Sequence, residues 1–336
     1  MAFHLFHGSE SYLVELAFRQ AWLGLTRDLD SDLDCELLDP AATSADVLVA
    51  CTSVGFFSPV RVVGVRDWRI FSDKPARRSK TKTAAVTEDP LEAAAATIAS
   101  LPESTTLLLS ASSLLSATNP VLKVMQKRGS AMGFPKLRFG EVPAWVTRRA
   151  SERAVDIDRR AIEVLVRRAG EDLALLDAEL VKLSTYAAGE KVTVKDVEAL
   201  VADTAEHQVW DLTDSLLSDP GRAAIELDRA LAAGEPAGRL GYMLVRHLRL
   251  LLAASAAPAG NAGSRSLAEA FSGDGRPLSD YSISKAMSQS RGVPTPRLEA
   301  IYRRAASTEA ASRRGEMDDV TALRLVVMEA ALSQGK

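Results

Sequence analysis

Cysteine is scarce in this chain: 336 residues hold two, Cys35 and Cys51. Two thiols cannot build a disulfide framework or a cysteine-rich zinc site, and the compartment expected from them is a reducing one, the cytoplasm. Histidine is almost as rare, with four positions. His4 and His7 lie three apart in an expected strand and so point to opposite faces, while His207 and His247 stand alone in expected helices. No metal site is expected from ligands so scattered. Gly-x-Ser-x-Gly, His-Glu-x-x-His and Cys-x-x-Cys are all missing, which leaves no candidate catalytic residues. Charge of one sign is missing too: 41 Lys and Arg face 44 Asp and Glu, a net charge of −3. A whole-surface attraction to phosphate is thereby excluded, and any nucleic-acid contact must come from local basic patches. Long apolar runs are absent. The uncharged stretch Ser104 to Leu122 is broken by Ser, Thr, Asn and Pro, and the opening MAFHLFHGSE has no export-signal pattern, so neither a membrane span nor a leader is expected.

What is present describes a globular protein. Hydrophobic residues make up 47% and charged residues 25% of a chain long enough for two or three domains. The first third alternates. Phe3 to Phe6 reads as a strand ended by His7 and Gly8, and Tyr12 to Leu25 as an amphipathic helix. A short run at Glu36 to Leu38 precedes a helix with Ser44 as N-cap and Val47, Leu48 and Cys51 on one face. A β-branched strand is expected at Arg61 to Val65, a helix at Leu91 to Ser100, a buried strand at Thr105 to Ser110 and a helix at Pro120 to Lys127. Strands alternating with helices imply a parallel sheet covered on both faces. From Pro143 onward only helices are expected: Ala144 to Arg153, Asp158 to Ala169, Asp172 to Tyr186 and Thr193 to Val201, the last opened by a capping-box pair, Thr193 and Asp196. Longer helices follow at Val209 to Leu217, Gly221 to Ala233, Ala237 to Ala254, Pro277 to Gln289, Thr295 to Ser312 and Met317 to Leu332. The segment Ala254 to Ser266, rich in Ala, Ser, Gly and Pro, reads as a loop.

A strand that runs through a glycine turn into a helix invites a phosphate-loop reading, because helix N-terminal amides hold phosphate. The spelling opposes it. Gly8, Ser9, Glu10, Ser11 and Tyr12 stand where a lysine and a magnesium-binding hydroxyl are required, and Glu10 and Glu15 repel a polyphosphate. No bound cofactor and no ATP hydrolysis are expected here. The sequence Val54, Gly55, Phe56, Phe57, Ser58, Pro59 falls between a helix and a strand. Its two adjacent rings either close the core beneath that junction or face outward to anchor a partner. Basic residues gather at Arg77, Arg78, Lys80 and Lys82 in a polar loop from Asp73 to Thr87. Others stand at Arg148, Arg149 and Arg153, and at Arg159, Arg160, Arg167 and Arg168. They read as solvated faces or as DNA-proximal patches.

Three stretches taken in order resemble the delta subunit of bacterial DNA polymerase III, the clamp-loader subunit. FHLFHGSESYLVELAF is similar to its opening strand, Gly-acidic turn and helix. VGFFSPVRVVGV is similar to its clamp-binding element and following strand. DLALLDAELVKLSTYAAGEKVTVKDVEALV is similar to its middle helical domain, with Glu179, Lys182, Leu183 and Tyr186 at the characteristic spacing. The basic loop after Trp68 is longer than in that pattern, and Ala306 to Arg314 lacks its Asp and Lys. The resemblance implies an α/β AAA+ type domain over 1–140, with a parallel sheet and a degenerate nucleotide loop, then a small helical lid domain over 141–205 and an all-α collar domain over 206–336. It implies that Val54, Phe56 and Phe57 bind the beta sliding clamp and help open its ring for loading on primed DNA. Gamma/tau and delta-prime type subunits are the implied partners through the collar, with primed DNA in the assembled complex, and Arg148, Arg149 and Arg153 are the DNA-proximal candidates. The chain itself is then no enzyme, and the DNA-directed DNA polymerase activity belongs to the holoenzyme. Two other classes stay open: an AAA+ ATPase with an atypical nucleotide loop, and a sequence-independent DNA-binding protein.

Overall fold

A computed structural model describes residues 3–27, 29, 31–53, 60–72, 89–202, 205–258, 261–271, 278 and 280–333. The chain divides into two compact units, 1–137 and 138–336. The first alternates strands and helices: β1 (Phe3–His7), α1 (Ser11–Thr26), β2 (Cys35–Leu38), α2 (Ser44–Thr52), β3 (Arg61–Val65), α3 (Pro90–Ser100), β4 (Thr105–Ala111), α4 (Pro120–Arg128) and β5 (Gly129–Gly133). The five strands form one sheet in the order β2-β3-β4-β1-β5, and each neighbouring pair is parallel.

Side-chain alternation divides this sheet between two cores. Phe3, Leu5, Val63, Val65, Leu107 and Leu109 pack with Val47, Ala50, Ile98, Val121 and Met125 from α2, α3 and α4. The intervening Phe6, Val62 and Leu108 turn to the other face, where α1 supplies Val14 and Phe18. All seven residues of β4 are buried, as a central parallel strand requires. Full burial of each such Leu, Val or Phe is worth about 1.5 to 3 kcal/mol, so the sheet is held from both sides.

Two local readings change. Thr43, not Ser44, caps α2: its hydroxyl accepts the Asp46 N–H at 3.2 Å, and the Asp46 carboxylate accepts the Thr43 N–H at 2.7 Å. Ser44 is the first helical residue, one position inside the reciprocal box that sets the boundary. The edge strand β5, GSAMG, carries no β-branched residue and no clear alternation, so nothing in its spelling announced a strand. Its small residues answer close approach instead, since a Cβ on Gly129 would lie 2.0 Å from the Phe3 carbonyl oxygen.

The second unit is helical: α5 (Val142–Glu152), α6 (Arg159–Ala169), α7 (Leu173–Ala187), α8 (Val194–Leu200), α9 (Ala205–Ser218), α10 (Pro220–Ala232), α11 (Ala237–Ala256), α12 (Asn261–Ala270), α13 (Asp280–Gln289), α14 (Thr295–Arg313) and α15 (Asp319–Leu332). The expected capping box opens α8, where the Asp196 carboxylate accepts the Thr193 N–H at 2.8 Å. The segment read as a loop holds a helix from Asn261 onward, because Leu267 and Phe271, four apart, both sink into the core, with the Arg249 guanidinium 4.6 Å above the Phe271 ring. Packing of that face outweighs the weak helix propensity of Gly and Ser. The core of α9 to α15 is built on the stripe Leu240, Leu244, Leu248 and Leu251 on α11, against Leu298, Ile301 and Ala305 on α14 and Leu323, Val326 and Ala330 on α15. The fold is therefore the class expected, a parallel α/β domain followed by helices. Among the described residues no helix is long and apolar enough to cross a membrane.

His247 is not isolated. Its Nε2 and the Gln289 Oε1 are 2.9 Å apart, the Gln289 amide donates to Asp214, and Lys285 bonds Asp214 at 2.7 Å. This chain of bonds joins α9, α11 and α13. Burial pushes His247 down from 6.5 to about 4, against the opposing pull of the Gln289 bond and the Asp214 charge. Protonation is thus easier in the unfolded chain, which binds the extra proton between about pH 6.5 and pH 4. The contribution of a neutral His247 is complete above pH 6.5 and is lost as pH falls toward 4, a change of roughly 3 kcal/mol. Urea unfolding at a series of pH values should show a shallower loss of stability over this window in His247→Gln than in the native chain; equal slopes would contradict the assignment.

Candidate functional site

In an open α/β sheet, ligands sit at the carboxyl ends of the strands where the chain switches faces. Here that point lies between β1 and β4, because α1 covers one face while α2, α3 and α4 cover the other. The chain's own backbone fills it. The Gly8 N–H donates to the Ala111 carbonyl and the Glu10 N–H to the Phe134 carbonyl, both at 3.1 Å, while Ser9 Oγ accepts the Lys136 N–H at 3.0 Å. A Cβ on Gly8 would fall 1.9 Å from the Phe134 oxygen, so a glycine is needed there for close packing of backbone on backbone. Two amides that a phosphate-binding turn would aim at its ligand are thus spent inside the domain. Buried Glu10 stands at the N-cap position of α1, and its side chain makes no capping bond to the first-turn amides.

Neighbouring groups are tied in the same way. His7 is buried, its Nδ1 accepts the Leu115 N–H at 3.1 Å, and burial holds its pKa below the ordinary value, consistent with a neutral ring. Asp67, at the end of β3, takes φ 46°, uncommon for a residue other than glycine. Its Oδ1 accepts the Ser112 N–H at 3.0 Å and the Ser112 hydroxyl, and its own N–H donates to Ser110 Oγ at 2.8 Å. Glu15 pairs with Arg66. Among the described residues no group of three or more His, Cys, Asp or Glu could hold a metal ion.

Val54, Phe56 and Phe57 lie outside the described residues, but both ends of their segment are described. Before it, α2 packs Val47, Ala50 and Cys51 into the core and leaves Leu48 and Val49 exposed. After it, Arg61 opens β3 with its guanidinium on the Ala50 carbonyl, the Leu33 carbonyl at 3.1 Å and Glu36 at 2.5 Å. Sequence reasoning passed over Arg61; a lone arginine opening a β-branched strand was the available signal.

The arginines proposed for DNA separate into two groups. Arg148 is exposed. Arg149 is buried and grips Asp177 with two bonds, at 2.7 and 3.2 Å, and Glu152 with a third at 2.9 Å. Arg153 grips the same Asp177 at 2.6 and 2.5 Å. Both guanidiniums therefore tie to α7 through Asp177; Arg149 is withdrawn from solvent, while Arg153 remains partly exposed. Asp177 was also missed, although a carboxylate on the apolar face of Leu173, Leu176 and Leu180 was the sign of it. Arg159, Arg160 and Arg167 are exposed, whereas Arg168 donates to the Glu198 and Val201 carbonyls at 2.7 Å and so closes the end of α8. Arg77, Arg78, Lys80, Lys82 and the His207 side chain fall outside the described residues. Of the four spaced residues on α7, Leu183 is buried, Glu179 and Lys182 pair at 2.5 Å, and Tyr186 is exposed.

The family model for the C-terminal domain of the DNA polymerase III delta subunit matches residues 206–330. The chain belongs to the DNA polymerase III delta subunit family. A second family model, a middle domain, matches residues 138–199 of this delta-family chain. Its fold is similar to that of the Bacillus subtilis DNA clamp loader delta protein (YqeN), with a TM-score of 0.73 and 19% identity over 98% of this chain and 95% of that one. Weaker likenesses reach the Thermotoga maritima RuvB Holliday junction branch migration motor, at TM-score 0.31 and 11% identity over 65% of this chain and 68% of that one. The Aeropyrum pernix ORC2 protein matches at TM-score 0.31 and 12% identity over 93% and 89%. No curated protein matches.

For this delta-family chain the filled turn generates a direct expectation. Calorimetric titration of the purified protein with ATP and magnesium should give no saturable heat; a saturable isotherm would contradict it.

Proposed function

We propose that this chain is the clamp-opening subunit of the DNA polymerase III clamp loader. It binds the beta sliding clamp through Val54, Phe56 and Phe57 and favours the open ring, so that the clamp can be loaded on primed DNA during replication. The observation that carries this reading is the filled β1–α1 turn in a chain whose C-terminal region matches the delta family. A subunit without a nucleotide site works by differential affinity: a partner that prefers the open clamp shifts the ring toward opening by the ratio of its two affinities, and no covalent step is needed.

The remaining roles follow as parts of the same proposal. The chain is a non-catalytic, cytoplasmic accessory subunit with three functional regions, 1–140, 141–205 and 206–336. The last joins gamma/tau and delta-prime type subunits, and nucleotide binding in those partners governs when the clamp-binding segment is available, a coupling between sites on different chains. In this proposal exposed Arg148 and partly exposed Arg153 approach primed DNA, and buried Arg149 braces α5 against α7. The ATPase alternative is disfavoured by amides already spent within the domain. The DNA-binding alternative is disfavoured by the commitment of Arg149, Arg153 and Arg168 to internal acceptors.

Two aromatic rings buried at an interface supply about 3 to 6 kcal/mol together, on the order of 100-fold or more in affinity. The sliding clamp of the same organism should therefore retain the native chain in a pull-down and lose the Phe56→Ala, Phe57→Ala variant. Failure of the native chain to bind, or equal retention of the variant, would overturn the reading.

A further inference from the structure

A helix that is apolar all the way round needs a partner on each side. In α15 the only charged residues are Asp319, Arg324 and Glu329. Its inner face, Leu323, Val326 and Ala330, is sealed in the core of α9 to α15. Its outer face is apolar as well: Met328 and Leu332, one turn apart, are 59% and 71% exposed. The helix beside it supplies a third residue. Asp319, at the start of α15, lies against Gly238, where a Cβ would come within 2.7 Å of its carboxylate, and Gly238 follows the end of α10 by a short turn. Further along α15, Arg324 meets Asp228 of α10 at 3.5 Å. The two helices therefore run antiparallel, and one turn beyond that pair Met328 comes level with Ile225, which is 55% exposed. Among the described residues of 205–333, the exposed large apolar side chains are Ile225, Tyr242, Met328 and Leu332. Tyr242 has its own cover, the Arg313 guanidinium 5.7 Å from its ring centre. The other three gather at one seam between α10 and α15, a patch in place of the scattered single residues that any surface carries.

We propose that this seam is the docking surface for a helix of a neighbouring clamp-loader subunit. The inference rests on the proposed role of residues 206–336 in joining such subunits. A helix is the element that fits, because two antiparallel helices leave a groove into which a third packs by its own ridge of side chains. The rim charge says what flanks that ridge. Arg222 and Arg229, one turn to either side of Ile225, share the single carboxylate of Glu226 at 3.7 and 3.1 Å, while Arg324 and Asp228 cancel. One positive charge is left over, so the partner's ridge is apolar with an acidic flank.

The test titrates the full chain into the same organism's gamma/tau and delta-prime type subunits, assembled beforehand, and reads the Kd for incorporation. The seam variant Ile225→Ser, Met328→Ser alters two exposed positions and should raise that Kd about 30-fold, with a thermal midpoint close to native. Arg222→Glu, which reverses a charge beside the groove, should raise it at least about threefold. Val181→Ser, at an exposed position of α7, should leave it within about twofold of native. A native Kd in the seam variant, or an equal loss in Val181→Ser, would overturn the docking surface. An unchanged or lower Kd in Arg222→Glu would overturn the acidic flank. A dimer of the chain alone that the seam variant dissolves would also overturn the proposal, since the seam would then take a second copy. Failure of the native chain to join those subunits would instead overturn the reading of residues 206–336, and the docking surface with it.

Discussion

Close contact of backbone on backbone at the first turn governs much of what this chain can do. Gly8 lies against the carbonyl of Phe134, and the amides of Gly8 and Glu10 are spent on Ala111 and Phe134. Once those donors are satisfied, the first turn offers a phosphate neither amide, and an acidic residue, Glu10, stands at the N-cap position of α1. The same contact recruits the segment after β5, through the Lys136 N–H on Ser9, so that an edge strand of small residues becomes part of the seal. The switch point of this α/β sheet is thereby closed by the chain's own backbone.

A rigid platform is what a mechanical role requires. Differential affinity for an open ring can be expressed only if the binding segment and the surface beside it are held in fixed relation, since slack on either side would absorb the strain. The interior of the first unit provides this stiffness through two apolar layers on opposite faces of one sheet. In the helical unit the same purpose is served by polar fasteners: Asp177 between Arg149 and Arg153, and the bonded series from His247 through Gln289 to Asp214 and Lys285. Asp177 accepts four bonds from the two arginines, the kind of satisfied buried polar group that specifies a single arrangement.

Much of the framework was legible because its physics is periodic. The β-branched run Arg61–Val65 and the uncharged run Thr105–Ser110 announce buried strands, and the fourfold spacing of leucines on α11 names its own face. What escaped the reading was set by contacts distant in sequence. The strand β5 has no alternation of its own and exists because β1 accepts it along Gly129. The helix α12 is spelled in Gly and Ser and is stabilised by Leu267 and Phe271 reaching a core assembled from other helices. Arg149 and Arg153 look like a basic surface in a string of letters, and only the position of Asp177, on α7, shows that both are paired and that the charge of Arg149 is internal. At the proposed site, the missing lysine of the Gly8 turn was readable directly. The fastening role of Arg61 was not, because its acceptors lie at Leu33, Glu36 and Ala50.

The central claim is that this chain opens a ring without handling nucleotide itself. The most direct measurement places a fluorescent donor and acceptor across the protomer interface of the same organism's sliding clamp and adds the purified chain in the absence of any nucleotide. Energy transfer should fall to a saturating, lower level with the chain bound at the clamp. A clamp that binds the chain with transfer unchanged, or that opens only when ATP is added with this chain alone, would contradict the account.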